Sequence, residues 1–186
     1  MTASNAGKPR LWAAVVAMSL GLMPSIPAAE AKPEPKESPA PRLPTDFRRE
    51  MVHLGSWFVP SGGAAGFHDV YASPEAVESF RATGAWPDGA TLVKELRGSV
   101  AGDYTTGAGV QRATIEVLQT FVMVKDADGS ERGPLWGEGW GWALYKPDRP
   151  GVNVATNYET DCLGCHIPAK AQDYVYVQAY PTLSRP

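Results

Sequence analysis

The sequence predicts an α+β fold, a mainly antiparallel β-sheet carrying a few short helices. Three observations lead there. Segments rich in Val, Ile, Thr and aromatic residues are bounded by clusters of Gly, Pro, Asn and Asp, as strands are bounded by turns. One compact segment carries a full set of helix signals. No long stretch repeats apolar residues at helical spacing, which argues against a four-helix bundle.

The 186 residues suit one domain with its own core, and a hydrophobic fraction of 44% is that of a globular chain. Seventeen Lys plus Arg stand against 20 Asp plus Glu, a net charge of −3 that offers no basic field for nucleic acid. Two cysteines are too few for a disulfide scaffold.

Taken in order, Lys8 and Arg10 precede an apolar run from Leu11 to Met23, and the small residues end at Ala29-Glu30-Ala31. A positive start, a short apolar core and an Ala-x-Ala site predict a secretory signal peptide over 1–31 and a periplasmic protein, with no membrane anchor once it is cleaved. Residues 32–44, KPEPKESPAPRLP, hold five of the 17 prolines and few apolar side chains, which predicts a disordered tether. The folded domain is expected over 45–186.

Ser73 and Pro74 before EAVESFRATG predict a helix, with Ser73 capping, Pro74 in the first turn, Glu75 at the positive end and Gly84 as the stop. Val77 and Phe80 then share its buried face. Strands are expected at Thr91–Leu96, Thr114–Lys125, Trp136–Tyr145 and Tyr174–Tyr180, with turn chemistry at 86–89 and 126–129. Trp136, Trp140 and Trp142 alternate with Gly137, Gly139 and Gly141. The bare glycine side could meet a flat ligand, but sheet packing and a subunit interface explain the pattern equally well.

Cys162-Leu163-Gly164-Cys165-His166 carries the strongest chemistry. Cys-x-x-Cys-His is the attachment pattern of a c-type haem: two thiols bond to the porphyrin, and the histidine next to them binds iron through a neutral imidazole nitrogen. One covalent haem c, held by Cys162 and Cys165 with His166 as the metal ligand, is therefore expected. A thioredoxin-type dithiol would sit early in an α/β domain, and a zinc site would want a second cysteine pair that is missing. Only 20 residues follow His166, none of them Met or His. The remaining candidates for a sixth ligand, Met51, Met123, His53 and His68, are of residue types more often packed or on the surface, which favours an open iron position.

Further residues extend the pattern: VYASPEA before the helix, TGAWPDGATLVKEL after it, VMVKDADG, GWGWALY, the late CLGCH, and AQDYVYVQAYPTL. In this order, from about Phe47 to the end, the chain resembles the cytochrome P-460 family and the related beta-type cytochromes c-prime. The resemblance implies a sheet-rich, often dimeric haem domain with chemistry on hydroxylamine or nitric oxide. It also implies that Lys94, in Leu92-Val93-Lys94-Glu95-Leu96, bonds covalently to a haem edge carbon. Alternation puts Lys94 on the face of Leu92 and Leu96, where an ammonium needs a partner; a cross-link, a haem propionate, or snorkelling to water would each meet that need.

The chain departs from the hydroxylamine-oxidising members at one place. Five residues before Asp126, where the resemblance leads one to expect a carboxylate, stands Phe121. Phenylalanine cannot take a proton, and it resembles instead the dry cap of the beta-type cytochromes c-prime. Glu116 is a weaker substitute, because it points to the opposite face of a regular strand unless a bulge intervenes. Gln178 stands where the family commonly has a basic residue, so no charge role is assigned there. The expectation is an open haem site that binds small nitrogen oxides such as NO under Phe121. A hydroxylamine- or NO-oxidising enzyme passing electrons to a soluble partner is the alternative, and a plain electron-transfer cytochrome ligated by Met123 the third.

Overall fold

The structure, a computed structural model, describes residues 36–184. The expected signal peptide and the first residues of the expected tether lie outside them. From Lys36 onward the chain is docked: Ser38 and Arg132 exchange hydrogen bonds, Pro39 O accepts from Trp136 Nε1 at 3.0 Å, and Pro41 O accepts from the Tyr145 hydroxyl at 2.7 Å. Each of these carbonyls gains a donor from a side chain of the sheet, the Tyr145–Pro41 bond being buried.

Six antiparallel strands form one sheet in the order β1-β2-β3-β4-β6-β5. They are β1 (Val52–Val59), β2 (Gly66–Ala72), β3 (Thr91–Tyr104), β4 (Gly107–Lys125), β5 (Trp136–Gly137) and β6 (Trp140–Tyr145). The one-turn helix α1 (Phe47–Glu50) precedes the sheet, and α2 (Pro74–Thr83) links β2 to β3. Helix α2 is the one expected. Gly84, at φ 81°, ends it with its N–H on Phe80 O, whereas the Ser73 hydroxyl makes no capping bond. Val77 is buried, and Phe80 packs on Trp86 with ring centroids 4.5 Å apart.

Three elements differ from expectation. Strands β1 and β2 lie outside the expected strands, because Gly, His, Ser and Asp interrupt their apolar residues in sequence, although burial alternates regularly along β2. The Trp-rich strand is a hairpin, turned between β5 and β6 at Glu138 and Gly139, both with positive φ. The segment Tyr174–Tyr180 is not a strand. It is irregular with 3-10 turns at Val177–Ala179 and Pro181–Leu183, because each tyrosine is anchored separately and not paired to a neighbouring strand.

The sheet has two different faces, as alternation requires. One carries Val70, Leu92, Lys94, Phe121, Met123 and Trp142 and faces the C-terminal segment. The other carries Val93, Val122, Ala143 and Tyr145 under Phe47, Leu43 and Met51. Glu95, 1% exposed on that reverse face, receives Arg48 Nε at 2.9 Å and Arg97 at 3.2 Å, so its burial is paired. Among the described residues no helix is long and apolar enough to cross a membrane.

Strand β2 starts at a position only glycine fits. Gly66 has φ 129°, and a Cβ there would lie 2.0 Å from Arg97 O. Replacing Gly66 by Ala therefore costs at least about 2 kcal/mol in urea unfolding. Gly63→Ala, with nothing within 4 Å of the added carbon, stays within roughly 0.5 kcal/mol of the parent.

Candidate functional site

The inner sheet face is ordered in rows. Hydrogen-bonded neighbours align Val70, Lys94, Phe121 and Leu144 in one row, with Leu92, Met123 and Trp142 in the next. His68, Leu96 and Gln119 form a third row on the other side of Lys94. Opposite these rows runs a continuous helical stretch: a π-helical turn Glu159–Leu163, the single turn α3 (Gly164–His166), and a 3-10 turn Ile167–Gln172. Its entry is tied down locally. Asp161 Oδ2 accepts from the backbone N–H of Thr156 at 2.7 Å and of Asn157 at 3.1 Å, which holds this carboxyl below its usual range.

Between sheet and helical stretch lies a cavity of about 790 Å³, lined by Cys162, Cys165 and His166 on one side and by Lys94, Phe121, Met123 and Trp142 on the other. The sequence separates these residues by up to 72 positions; the fold brings them together. Cys162 is buried and Cys165 exposed, and both are free thiols. Burial pushes the Cys162 thiol up to about 11. His166 stands edge-on to Trp142, with centroids 4.9 Å apart and planes at 74°. Its Nδ1 lies 2.8 Å from Tyr174 O, and since a carbonyl can only accept, Nδ1 carries the proton and Nε2 keeps a free lone pair. Removal from water lowers its basicity to about 4, so the ring is neutral. A neutral ring with a free Nε2 is the form that binds a metal.

Lys94 points into the cavity, its Nζ 4.3 Å from the centroid of the Phe121 ring. Its amine is withdrawn from bulk solvent, and burial lowers its pKa; among the described residues no carboxylate pairs with it. The expected distal residue and the expected cross-linking lysine are thus direct cross-strand neighbours. Glu116 is not at the site. Register shifts do interrupt β4 opposite Arg97–Ser99, yet Glu116 stays exposed to solvent there.

Of the four sixth-ligand candidates, Met51 and His53 lie away from the cavity. Met51 packs on the reverse face, and exposed His53 bonds Ser56. Met123 lines the cavity beside Trp142, the residue His166 packs on, a poor place for a ligand opposite that histidine. His68 also lines it, 4% exposed and stacked on Trp57. The glycine side of the Trp-rich hairpin is closed to a flat ligand: an added Cβ would meet Trp136 at 2.5 Å and Pro41 at 2.7 Å from Gly141, and Tyr158 at 2.2 Å from Gly137. It is Trp142, on the opposite side, that faces the cavity. The sequence pointed to none of the residues that anchor the histidine side, Tyr174, Tyr176 and Trp142, as such. Tyr176 donates to Cys165 O at 2.7 Å, a contact with no sequence signature.

The sequence profile of the cytochrome P460 family matches residues 44–177. The chain belongs to the cytochrome P460 family. No curated relative matches it. A cytochrome P460 binds haem c, and the cavity suits that group on three counts. Its volume is within the range of about 300–1,000 Å³ for cofactor pockets. Both thiols and the histidine line it. Finally, His68, which lines the cavity, donates through Nε2 to Ala64 O at 2.8 Å, which leaves its buried Nδ1 without a partner among the described residues.

The buried lysine makes a pH-dependent prediction for the haem-free protein. Its folded pKa lies below the unfolded value of 10.5, so stability is lost as pH falls from there through the folded value. Lys94→Met removes that slope. Urea midpoints should be higher for the variant at pH 7, and the gap to the parent should shrink as the pH approaches 10.

Proposed function

We propose that this cytochrome P460 is exported to the periplasm, carries one haem attached through Cys162 and Cys165 with His166 on the iron, and binds NO under Phe121. The bound haem supplies an iron with one open position for a small ligand. What carries the reading is the contact between Lys94 and Phe121. At the cross-strand position where a hydroxylamine-oxidising relative would hold a carboxylate, the cavity wall is an aromatic ring flanked by Leu144. Such a wall excludes water and takes no proton, which suits an uncharged diatomic ligand. The signal-like N-terminus supports export. A homodimer would have the exposed apolar Val100, Tyr104, Ile115 and Leu118 of the β3–β4 arm available to bury.

One observation favours a second reading, a hydroxylamine-oxidising enzyme with a Lys94–haem bond. A lysine held in a cavity with its amine shifted toward the neutral, nucleophilic form is suited to covalent attachment. At Phe121 the site lacks the carboxylate base that would accompany it, and the carboxylate among the described lining residues, Asp161, is held by the Thr156 and Asn157 N–H groups, so the first reading is preferred. Electron transfer with Met123 on the iron is disfavoured by the position of Met123 beside Trp142.

Tryptic peptides of the haem-loaded protein separate these readings. The Cys162–Cys165 peptide should carry haem through denaturation, and Cys162→Ala/Cys165→Ala should lose it. A haem mass shared with the Lys94 peptide would establish the cross-link.

Ligand assays test the cap. The ferrous protein should bind NO and turn over hydroxylamine negligibly, while Phe121→Glu should raise that turnover by roughly a hundredfold. A low-spin spectrum indifferent to NO would overturn the NO-binding proposal.

A further inference from the structure

The histidine side of the cavity holds two consecutive residues in a conformation that neither prefers. Asp173 has φ 56° and ψ 41°, and Tyr174 has φ 63°. For a tyrosine this left-handed backbone is a true outlier. It persists only where the surroundings enforce it. What the turn accomplishes is visible at its end: it brings Tyr174 O to His166 Nδ1 at 2.8 Å.

The enforcement comes from the ends of β4 and β6, on the sheet face that also carries Met123 and Trp142. Lys125, at the end of β4, reaches the Asp173 carboxylate at 2.9 and 3.0 Å. Trp140 Nε1, in β6, donates to Asp173 O at 3.0 Å. Lys125 is only 12% exposed, and its Nζ also lies over the Trp140 ring, 4.9 Å from the centroid. Space for it comes from Gly139, where a Cβ would fall 2.9 Å from Nζ. Asp173 is thus gripped by two strands through both its carboxylate and its backbone carbonyl. None of these groups lines the cavity.

We propose that Asp173, gripped by Lys125 and Trp140, is a positioning residue that aims the Tyr174 carbonyl at His166 and thereby sets how strongly that histidine donates to iron. This rests on His166 being the haem ligand. A hydrogen bond from Nδ1–H to a fixed carbonyl makes the imidazole more basic and fixes its rotation. A stronger donor holds ferric iron better and lowers the reduction potential. If the grip is loosened, the carbonyl drifts, the donor weakens and the potential rises, with no change in any residue that touches haem.

The experiment uses the haem-loaded protein and two spectroscopic readings. Resonance Raman spectra of the ferrous form report the iron–histidine stretch, and redox titration reports the midpoint potential. The stretch should be present in the parent and absent in His166→Gly. If it persists there, His166 is not the ligand, and the haem reading fails on its own. With that control passed, Asp173→Ala and Lys125→Met should both lower the stretching frequency and shift the potential upward at unchanged haem content. Asp173→Glu, which keeps the ion pair, should restore much of both. A role confined to stability would lower the unfolding temperature and leave both readings at parent values, and that result overturns the proposal. Should Asp173→Ala fail to load haem, Lys125→Met decides by the same criteria.

Discussion

Everything at this site depends on the register between β3 and β4. Lys94 faces Phe121 across that pair, and because side chains alternate strictly, a slip of β3 by one residue would turn Lys94 away from Phe121 and the cavity. It would also bring Glu95 into the cavity and leave Arg48 without its partner. The register is therefore held from both faces. Apolar residues specify it on one side, and a buried, paired carboxylate specifies it on the other. Register shifts are confined to the outer part of the hairpin, beyond Leu96, where no cavity residue depends on them.

Sheet and C-terminal segment divide the work at the cavity. Strands supply wide, rigid walls and a lysine held off from water. The helical stretch supplies the two thiols and a histidine, and the turn after it supplies the carbonyl that selects the histidine's tautomer. This segment contributes few backbone ladders of its own, so it is pinned by side chains: Tyr174 to the Glu138 carboxylate, Tyr176 to Cys165 O, and Arg81 to Thr182 O. The same turn-bearing segment lies over α2 and β1, where Tyr180 packs on Trp57 with centroids 5.6 Å apart.

Much of this was legible beforehand because it rests on local chemistry. The α2 helix announces itself by Pro74 and Gly84, the inner strands by β-branched runs, and the Cys-x-x-Cys-His motif by five adjacent residues. Counting along β3 places Lys94 on the face of Leu92 and Leu96, while its meeting with Phe121 is a matter of register. Other features were not legible. Strand β1 mixes exposed and buried positions around Gly55, which accommodates Ala179 O closely, so its alternation is blurred. Tyr174, Tyr176 and Tyr180 alternate like a strand, yet their spacing reflects separate anchoring points. The glycines among the tryptophans read as room for a flat ligand, and that room is filled by Pro41, Trp136 and Tyr158.

By itself, then, the sequence determined the fold class, the Cys162–His166 motif and the alternation within the inner strands β3 and β4. These depend on period, capping and covalent motif, all of which act over a few residues. Only the tertiary structure decided that Glu116 is exposed away from the cavity, that Met123 stands beside Trp142, and that Lys125 meets Asp173. Those are facts about which distant segments meet, and they depend on strand order, register and burial, which no local pattern encodes.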